Sequence, residues 1–123
     1  MSEYSDENSI MRRDLAFPYR LLRPANASGD CLFVLHGSGV DETTMLPLAR
    51  QIAPRSVIVA ARGRIPQEDG FRWFERITPT SFGQASIHAE TAAYGQFATE
   101  AARVHGLDPK RATFLGYSNG ANV

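Results

Sequence analysis

The chain has 123 residues, 43% of them hydrophobic and 21% charged, a size and composition typical of one soluble globular domain. Its 13 lysines and arginines balance 13 aspartates and glutamates, so no net charge draws it to nucleic acid or to an anionic membrane. The one cysteine, Cys31, excludes an internal disulfide framework, and the acidic start MSEYSDENS lacks the basic flank and apolar run of a signal peptide. We therefore expect a cytoplasmic protein without a nucleic-acid partner and without a membrane-inserted segment.

The first third of the sequence predicts a polar arm followed by two strands. Residues 1–16 are polar and lack a clear period, which is typical of an N-terminal arm, and residues 17–123 form the predicted folded domain. The segment FPYRLLR (17–23) predicts a strand, and the turn formers of PANASGD (24–30) predict a hairpin into the next strand. That next strand, CLFVL (31–35), is a continuous apolar run, as expected for a strand buried on both faces of a sheet.

A helix and a second buried strand are predicted next. Asp41 is a suitable N-cap for a helix of about ten residues, which Pro54 closes. The segment SVIVAA (56–61) has the same pattern as the first buried strand. Residues 62–84 are rich in glycine, proline and polar side chains and predict a long loop, which is uncommon unless the loop carries function.

A long amphipathic helix and a final strand complete the order. Residues 86–105 predict a helix that Gly106 ends. One face of this helix is apolar and consists of Ile87, Tyr94, Phe97, Ala98, Ala101 and Val104. The segment RATFLGY (111–117) then predicts a strand that leads directly into Ser118.

The resulting order β, β, α, β, α, β predicts an α/β fold with a mostly parallel sheet and flanking helices. Right-handed crossovers place the functional site of such a sheet at the carboxyl ends of its strands. The glycine-rich turns 36–39 and 116–120 both follow strands, so we expect them at the same edge.

The turn at 116–120 has the Gly-x-Ser-x-Gly pattern centred on Ser118. A sharp turn from strand to helix presents a serine hydroxyl to solvent and substrate, and the small residues Gly116 and Gly120 relieve crowding around it. This pattern predicts a nucleophile elbow with Ser118 as the catalytic nucleophile.

The turn His36-Gly37-Ser38-Gly39 predicts an oxyanion loop. Acyl transfer needs backbone N–H donors aimed at the developing negative charge, and a glycine-bearing loop beside the elbow can supply them. We predict the amides of Ser38 and Asn119 as these donors, supported by His36, Gly37 and Gly39. A plain turn from strand to helix is the alternative interpretation of the same four residues.

Four separated motifs carry a resemblance to a known family. They are LHGSGVDE (35–42), RWFER (72–76), DPKR (108–111) and GYSNGAN (116–122). In this order and spacing the chain resembles the phospholipase/carboxylesterase family of the α/β-hydrolase superfamily over about residues 17–123. The resemblance implies a serine esterase that acts on a small-molecule ester without a cofactor, with Trp73 and Phe74 in its substrate loop. Dienelactone hydrolases are similar in fold but carry cysteine where this chain has Ser118.

The sequence departs from the family after the elbow. The triad of this fold runs in the order Ser, then Asp or Glu, then His, and neither an acid nor a histidine follows Ser118 in these residues. We therefore expect a sheet truncated after the elbow and a chain that is nearly inactive alone. The acid and the base would come from residues outside these 123.

The three histidines present are poor substitutes for that base. His105 ends a helix and is expected at the opposite edge of the sheet from the site. His88 is expected near the site edge, but it lies one turn into the same helix, where a solvated role is the simpler interpretation. His36 is better placed to orient the oxyanion loop by a hydrogen bond than to accept a proton.

Other residues with chemical potential receive structural interpretations. Phe71, Trp73 and Phe74 could line an acyl pocket or cap the core under the loop, and both alternatives stay open. Cys31 is predicted to be a core residue. Asp41 and Glu42 are predicted at a helix start, where negative charge is favourable. No His, Cys or carboxylate grouping has the spacing of a metal site, so no metal is expected.

Two other functions remain as alternatives. A nucleotide-binding module would use Gly37-x-Gly39 and Arg62, but Glu42 occupies the place of its third glycine. A non-catalytic remnant of a longer enzyme would keep the motifs without turnover. Self-association into a homo-oligomer is compatible with the sequence but is not specified by it.

Overall fold

The computed structural model describes residues 11–37, 39–67, 70–73, 76–78, 81–82 and 84–116. The strands are β1 Met11–Arg12, β2 Tyr19–Leu22, β3 Cys31–Leu35, β4 Val57–Ala61, β5 Ile65–Gln67, β6 Gly70–Arg72, β7 Arg76–Thr78, β8 Ser81–Phe82 and β9 Ala112–Gly116. The helices are α1 Leu46–Ile52 and α2 Gln84–His105, and a 3₁₀ turn covers Pro109–Arg111. Five predicted site residues lie outside the described residues: Ser38, Phe74, Ser118, Asn119 and Gly120.

The main sheet contains five of these strands in the order β1-β2-β4-β3-β9. The predicted central strand β3 lies between β4 and β9 and runs parallel to both. Strand β2 adds to the far side of β4 in antiparallel orientation, and Met11 and Arg12 of β1 pair with β2. The α/β class is therefore confirmed, with a parallel centre and an antiparallel flank within the described chain.

Alternate side chains of the buried strands build two cores, one on each face of the sheet. The first core packs under α2 and contains Phe17, Tyr19, Leu21, Cys31, Phe33, Leu35, Val57, Val59, Ala61, Trp73, Tyr94, Phe97 and Ala101. The second packs under α1 and contains Leu22, Leu32, Val34, Met45, Leu46, Ala49, Ile58 and Ala60. Strands covered on both faces need apolar residues at every position, which explains the continuous runs CLFVL and VIVAA.

The predicted hairpin between the first two long strands is wrong. Strand β2 pairs with β4, while the place beside β3 is taken by β9. The connecting segment instead crosses the turn before β4, where the Ser28 amide donates to the Arg55 carbonyl at 2.8 Å. Arg55 Nε in turn donates to the Asn26 carbonyl at 3.2 Å. Turn formers alone indicate a reversal of the chain but do not select the strand that receives it.

The helix predicted from Asp41 begins later, at Leu46, and has seven residues. Asp41 caps a turn and not the helix, because its Oδ1 accepts hydrogen bonds from the Thr43 amide at 2.9 Å and the Thr43 hydroxyl at 2.6 Å. Pro47 then occupies the first turn of α1, where a missing amide hydrogen has no cost.

The long loop predicted over residues 62–84 contains two short hairpins. Strand β5 pairs antiparallel with β6, and β7 pairs antiparallel with β8. Strands of two or three residues are too short to show alternation, and Pro66 lies within β5, so their composition indicates a loop.

The prediction of α2 is confirmed, with one exception on its apolar face. Tyr94, Phe97 and Ala101 are buried, but Val104 is 46% exposed. The packed face continues at His105, which is half-buried and whose ring packs edge-on against Tyr19. No helix in the described ranges is both long enough and apolar enough to span a membrane.

Candidate active site

The loop after β3 and the end of β9 meet at one edge of the sheet. Leu35 pairs in register with Gly116, the last residue of β9, and both strands run in the same direction. The loop that begins at His36 therefore starts beside the point where the chain leaves β9 toward Ser118. This is the edge that the sequence predicts for the site.

His36 lies at the start of this loop and is 1% exposed. Its Nε2 accepts a hydrogen bond of 2.9 Å from the Gly63 amide, so the ring proton lies on Nδ1. Nδ1 donates to the Gly37 carbonyl at 2.6 Å. Burial lowers the pKa of His36, which keeps the ring neutral. With both nitrogens engaged, this ring orients the loop and is not available as a general base.

Trp73 contacts the same loop through a hydrogen bond and a ring contact with His36. Its indole Nε1 donates to the His36 carbonyl at 2.8 Å, and its ring centre lies 5.1 Å from that of His36. The side chain is fully buried against Phe17 and Tyr94 in the core under α2. Of the two alternatives for Trp73, the structure therefore favours the core residue over the wall of an acyl pocket.

The middle of the loop is joined to strand β6 by backbone hydrogen bonds. The Gly39 amide donates to the Phe71 carbonyl at 2.9 Å, and the Phe71 amide donates to the Val40 carbonyl at 2.8 Å. Gly39 has a φ of 79°, a conformation that favours glycine. Gly70 lies so close that an added Cβ would stand 2.5 Å from the Gly39 carbonyl carbon. The loop and the β5–β6 hairpin therefore form one packed unit.

Glu42, at the end of the loop, is a buried carboxylate and not a helix-start residue. Its Oε2 accepts from Arg20 Nε at 2.6 Å and its Oε1 accepts from Arg62 Nε at 2.7 Å. Burial opposes ionisation, but the hydrogen bonds from the two arginines outweigh it and hold the pKa of Glu42 below its usual value. The sequence prediction for this residue is wrong because a carboxylate just before a helix resembles a capping group whether it is solvated or paired.

Several contacts that hold the loop in place are not predicted by the sequence. Gly63 and Gly70 contact the loop, and Glu42 at the end of the loop binds Arg20 and Arg62, each through an interaction that spans at least 20 positions in sequence. The signal for Gly63 and Gly70 is glycine itself in the segment 62–84, since close backbone approach is a common reason for glycine.

The two other histidines belong to α2. His105 Nε2 is 2.7 Å from the Tyr19 hydroxyl, and the His105 carbonyl accepts from Arg23 Nη2 at 3.1 Å. Arg23 follows Leu22, which pairs with Ile58 near the start of β4, so His105 lies toward the opposite edge, as predicted. His88 is exposed on α2.

Neither a reactive cysteine nor a metal cluster is found among the described residues. Cys31 is buried at the start of β3, and burial raises the pKa of its thiol, as expected for a core cysteine. Within the described ranges, no three His, Cys, Asp or Glu side chains are grouped in a way that could hold a metal ion.

Known proteins similar to this chain include carboxylesterases and a protein named as a hydrolase. The chain is 33% identical over 96 residues to MhqD of Bacillus subtilis (strain 168), a protein named as a hydrolase, and the match covers 78% of this chain and 48% of that protein. It is 69% identical to a carboxylesterase of Mesorhizobium loti, with a TM-score of 0.89 over 93% of this chain and 55% of that one. A Bacillus cereus carboxylesterase is 27% identical, with a TM-score of 0.81 over 88% of this chain and 51% of that one.

The chain thus spans about half the length of the relatives that it matches. No protein-family model matches it. The fold, the order of the motifs and these similarities together place the chain in the phospholipase/carboxylesterase family of the α/β-hydrolase superfamily.

Proposed function

We propose that the protein to which this chain belongs is a serine carboxylesterase that hydrolyses small-molecule esters through an acyl-enzyme at Ser118. The observation that carries the proposal is the loop 36–42, which is bonded to the chain around it at both ends and in the middle. It lies at the edge where β9 ends, two residues before Ser118. Carboxylesterases among the similar proteins support the same reaction class.

The proposed first step is attack of Ser118 Oγ on the ester carbonyl carbon. A bond forms between Oγ and this carbon, the serine proton passes to a general base, and the carbonyl oxygen becomes an oxyanion. The amides of Ser38 and Asn119 donate to that oxyanion. Cleavage of the bond between the carbonyl carbon and the alkoxy oxygen releases the alcohol, which takes the proton back from the base.

The proposed second step is hydrolysis of the acyl-enzyme. Water attacks the acyl carbon while the base takes one of its protons. The bond between this carbon and Ser118 Oγ then breaks, and Oγ takes that proton from the base, which gives a carboxylic acid and free serine. A preformed loop suits both steps because donors that are already in place need no reorganisation as charge develops.

The general base is proposed to be a histidine outside these 123 residues, held by an acid that is also outside them. The ring nitrogens of His36 are both engaged, and His105 lies toward the opposite edge of the sheet. His88 is exposed on α2 and is the one histidine of this chain that a variant must test.

The experiment is hydrolysis of p-nitrophenyl acetate and butyrate by the full-length protein and by its Ser118→Ala, His88→Ala and Ser28→Ala variants. We expect the Ser118→Ala variant to lose at least about 1,000-fold in kcat. His88→Ala and Ser28→Ala should keep wild-type kcat. Ester hydrolysis that survives Ser118→Ala would contradict the nucleophile, and loss of hydrolysis in His88→Ala would contradict the proposed source of the base.

A further inference from the structure

Glu42 is a buried charged group that the proposed chemistry does not use. Its side chain is 0% exposed, while those of Arg20 and Arg62 are 23% and 19% exposed. Each carboxylate oxygen accepts from a different arginine, which is the arrangement that makes a buried charge tolerable. We refer to Arg20, Glu42 and Arg62 as the ion triad.

The two arginines of the ion triad are fixed to the sheet. Arg20 belongs to β2 and pairs opposite Ala60 of β4. Arg62 directly follows β4, and its amide donates to the Pro18 carbonyl at 2.8 Å. Glu42 follows β3, so the ion triad ties the end of the loop to β4 and β2.

Arg62 also contacts Phe71, the residue of β6 that pairs with the middle of the loop. Its guanidinium carbon lies 4.5 Å from the centre of the Phe71 ring, a cation–π contact. The Phe71 carbonyl accepts a hydrogen bond from the Gly39 amide, and the Phe71 amide donates one to the Val40 carbonyl. One charged group therefore contacts both the residue that ends the loop and the residue that pairs with its centre.

We propose that the ion triad is a positioning device for the oxyanion loop, with Glu42 holding the backbone of residues 36–42 where the Ser38 amide can meet the oxyanion. This inference rests on the proposed esterase function. Oxyanion donors work only when they are aimed in advance at the place where charge develops. A displacement of about 1 Å, caused far from the reacting atoms, can cost about 100-fold in rate. Glu42 touches no reacting atom and acts through the loop.

The test compares the full-length protein with its Glu42→Gln variant, which keeps the shape of the side chain and removes its charge. Active sites are first counted by titration with a fluorophosphonate probe, so that unfolded molecules do not enter the kcat value. We expect kcat per labelled site to fall about 10-fold to 100-fold with little change in KM. The reason is that the hydrogen bond from the Ser38 amide to the oxyanion, which the substitution would weaken, forms only in the transition state.

Two further readouts separate positioning from simple stability. The ratio of turnover for an ester over its thionoester should fall in Glu42→Gln, because a misaligned donor no longer favours oxygen over sulfur. Glu42→Asp, which keeps the charge on a shorter side chain, should recover part of kcat. If Glu42→Gln does not fold, Arg20→Lys keeps the charge, loses the Nε donor, and should show the same fall in the ratio.

The two matched controls lie on α2. Glu100→Gln removes a carboxylate from an exposed pair with Arg103 on α2 and should leave kcat and the ratio unchanged. Phe97→Leu weakens the core under α2 and should lower stability without changing the ratio.

The outcomes distinguish the two proposals. A wild-type protein that neither reacts with the probe nor hydrolyses esters overturns the esterase function, and the inference falls with it. An active wild-type protein whose Glu42→Gln variant keeps both kcat per labelled site and the ester preference overturns the positioning role alone. A falling ratio that Glu42→Asp partly restores supports it.

Discussion

The Nε2 atom of His36 accepts a hydrogen bond of 2.9 Å from the backbone amide of Gly63, which joins the loop after β3 to the segment after β4. The same ring donates through Nδ1 to the Gly37 carbonyl. A buried imidazole with these two partners must be neutral and must keep one tautomer. The role of His36 in the site is therefore to hold the loop in one conformation.

Replacement of His36 by alanine should destabilise the protein. The Gly63 amide would lose its acceptor in a buried setting, so we expect a fall of about 1–3 kcal/mol in the free energy of unfolding at pH 7. Urea unfolding followed by circular dichroism measures this change. His88→Ala is the exposed control and should change the free energy by less than about 0.5 kcal/mol. Equal effects of the two variants would contradict the bonding assigned to His36.

The pH dependence of stability should report the neutral state of His36. Burial lowers its pKa in the folded state, so below pH 6.5 the unfolded state binds more protons. The stabilisation is therefore fully present above pH 6.5 and is lost as pH falls below it. His105 contributes with the same sign, because burial lowers its pKa as well. Unfolding free energies at pH 7.5, 6.5 and 5.5 should fall with acid, and His36→Gln should reduce that fall. A His36→Gln variant with an unchanged slope would rule out this linkage.

Close packing of the loop against β6 makes Gly70 intolerant of a side chain. A Cβ at this position would lie 2.5 Å from the Gly39 carbonyl and 2.6 Å from the Val40 amide nitrogen, and backbone atoms cannot move aside without moving the loop. We expect Gly70→Ala to lower both kcat and the melting temperature.

Gly95→Ala supplies the matched control for Gly70→Ala. Gly95 lies in the interior of α2 and has nothing within 4 Å of its would-be Cβ. Alanine should therefore stabilise the helix by about 0.5–1 kcal/mol and leave kcat unchanged. The melting temperature and kcat for ester hydrolysis are measured for both variants. A Gly70→Ala variant that behaves like Gly95→Ala would show that the loop can move to accommodate the added methyl group.

Trp73→Phe should separate the packing of this ring from its hydrogen bond. Phenylalanine keeps an aromatic ring against Phe17 and Tyr94 but cannot donate to the His36 carbonyl. We expect a loss of about 1–3 kcal/mol in the free energy of unfolding and a reduced kcat with substrates of every acyl length. A change in acyl-chain preference alone would instead indicate that Trp73 lines the substrate pocket.

The fold was predictable where apolar patterning is strong. The runs around Phe33 and Val59 predict strands buried on both faces, and Tyr94, Phe97 and Ala101 predict the packed face of α2. The pairing of β2 was not predictable from local sequence. Strand β9, which comes later in the chain, occupies the free side of β3, and β2 pairs with β4 instead. The hairpins of residues 65–82 are too short to leave a pattern.

The site was predictable in outline from its motifs but not in its supports. His36 was expected to orient the loop, and the structure shows the hydrogen bonds that do so. The sequence predicts Glu42 at a helix start because it does not show that Arg20 and Arg62, each about 20 positions away, bind the same carboxylate. Tertiary contacts of that range decide whether a charge is solvated or buried.

The measurement that tests the central claim most directly is the mass of the full-length protein after treatment with a fluorophosphonate probe, followed by peptide mapping. We expect one covalent adduct, located on Ser118, and no adduct on the Ser118→Ala variant. A wild-type protein without an adduct, or an adduct that persists in Ser118→Ala, would contradict the claim that Ser118 is an activated nucleophile.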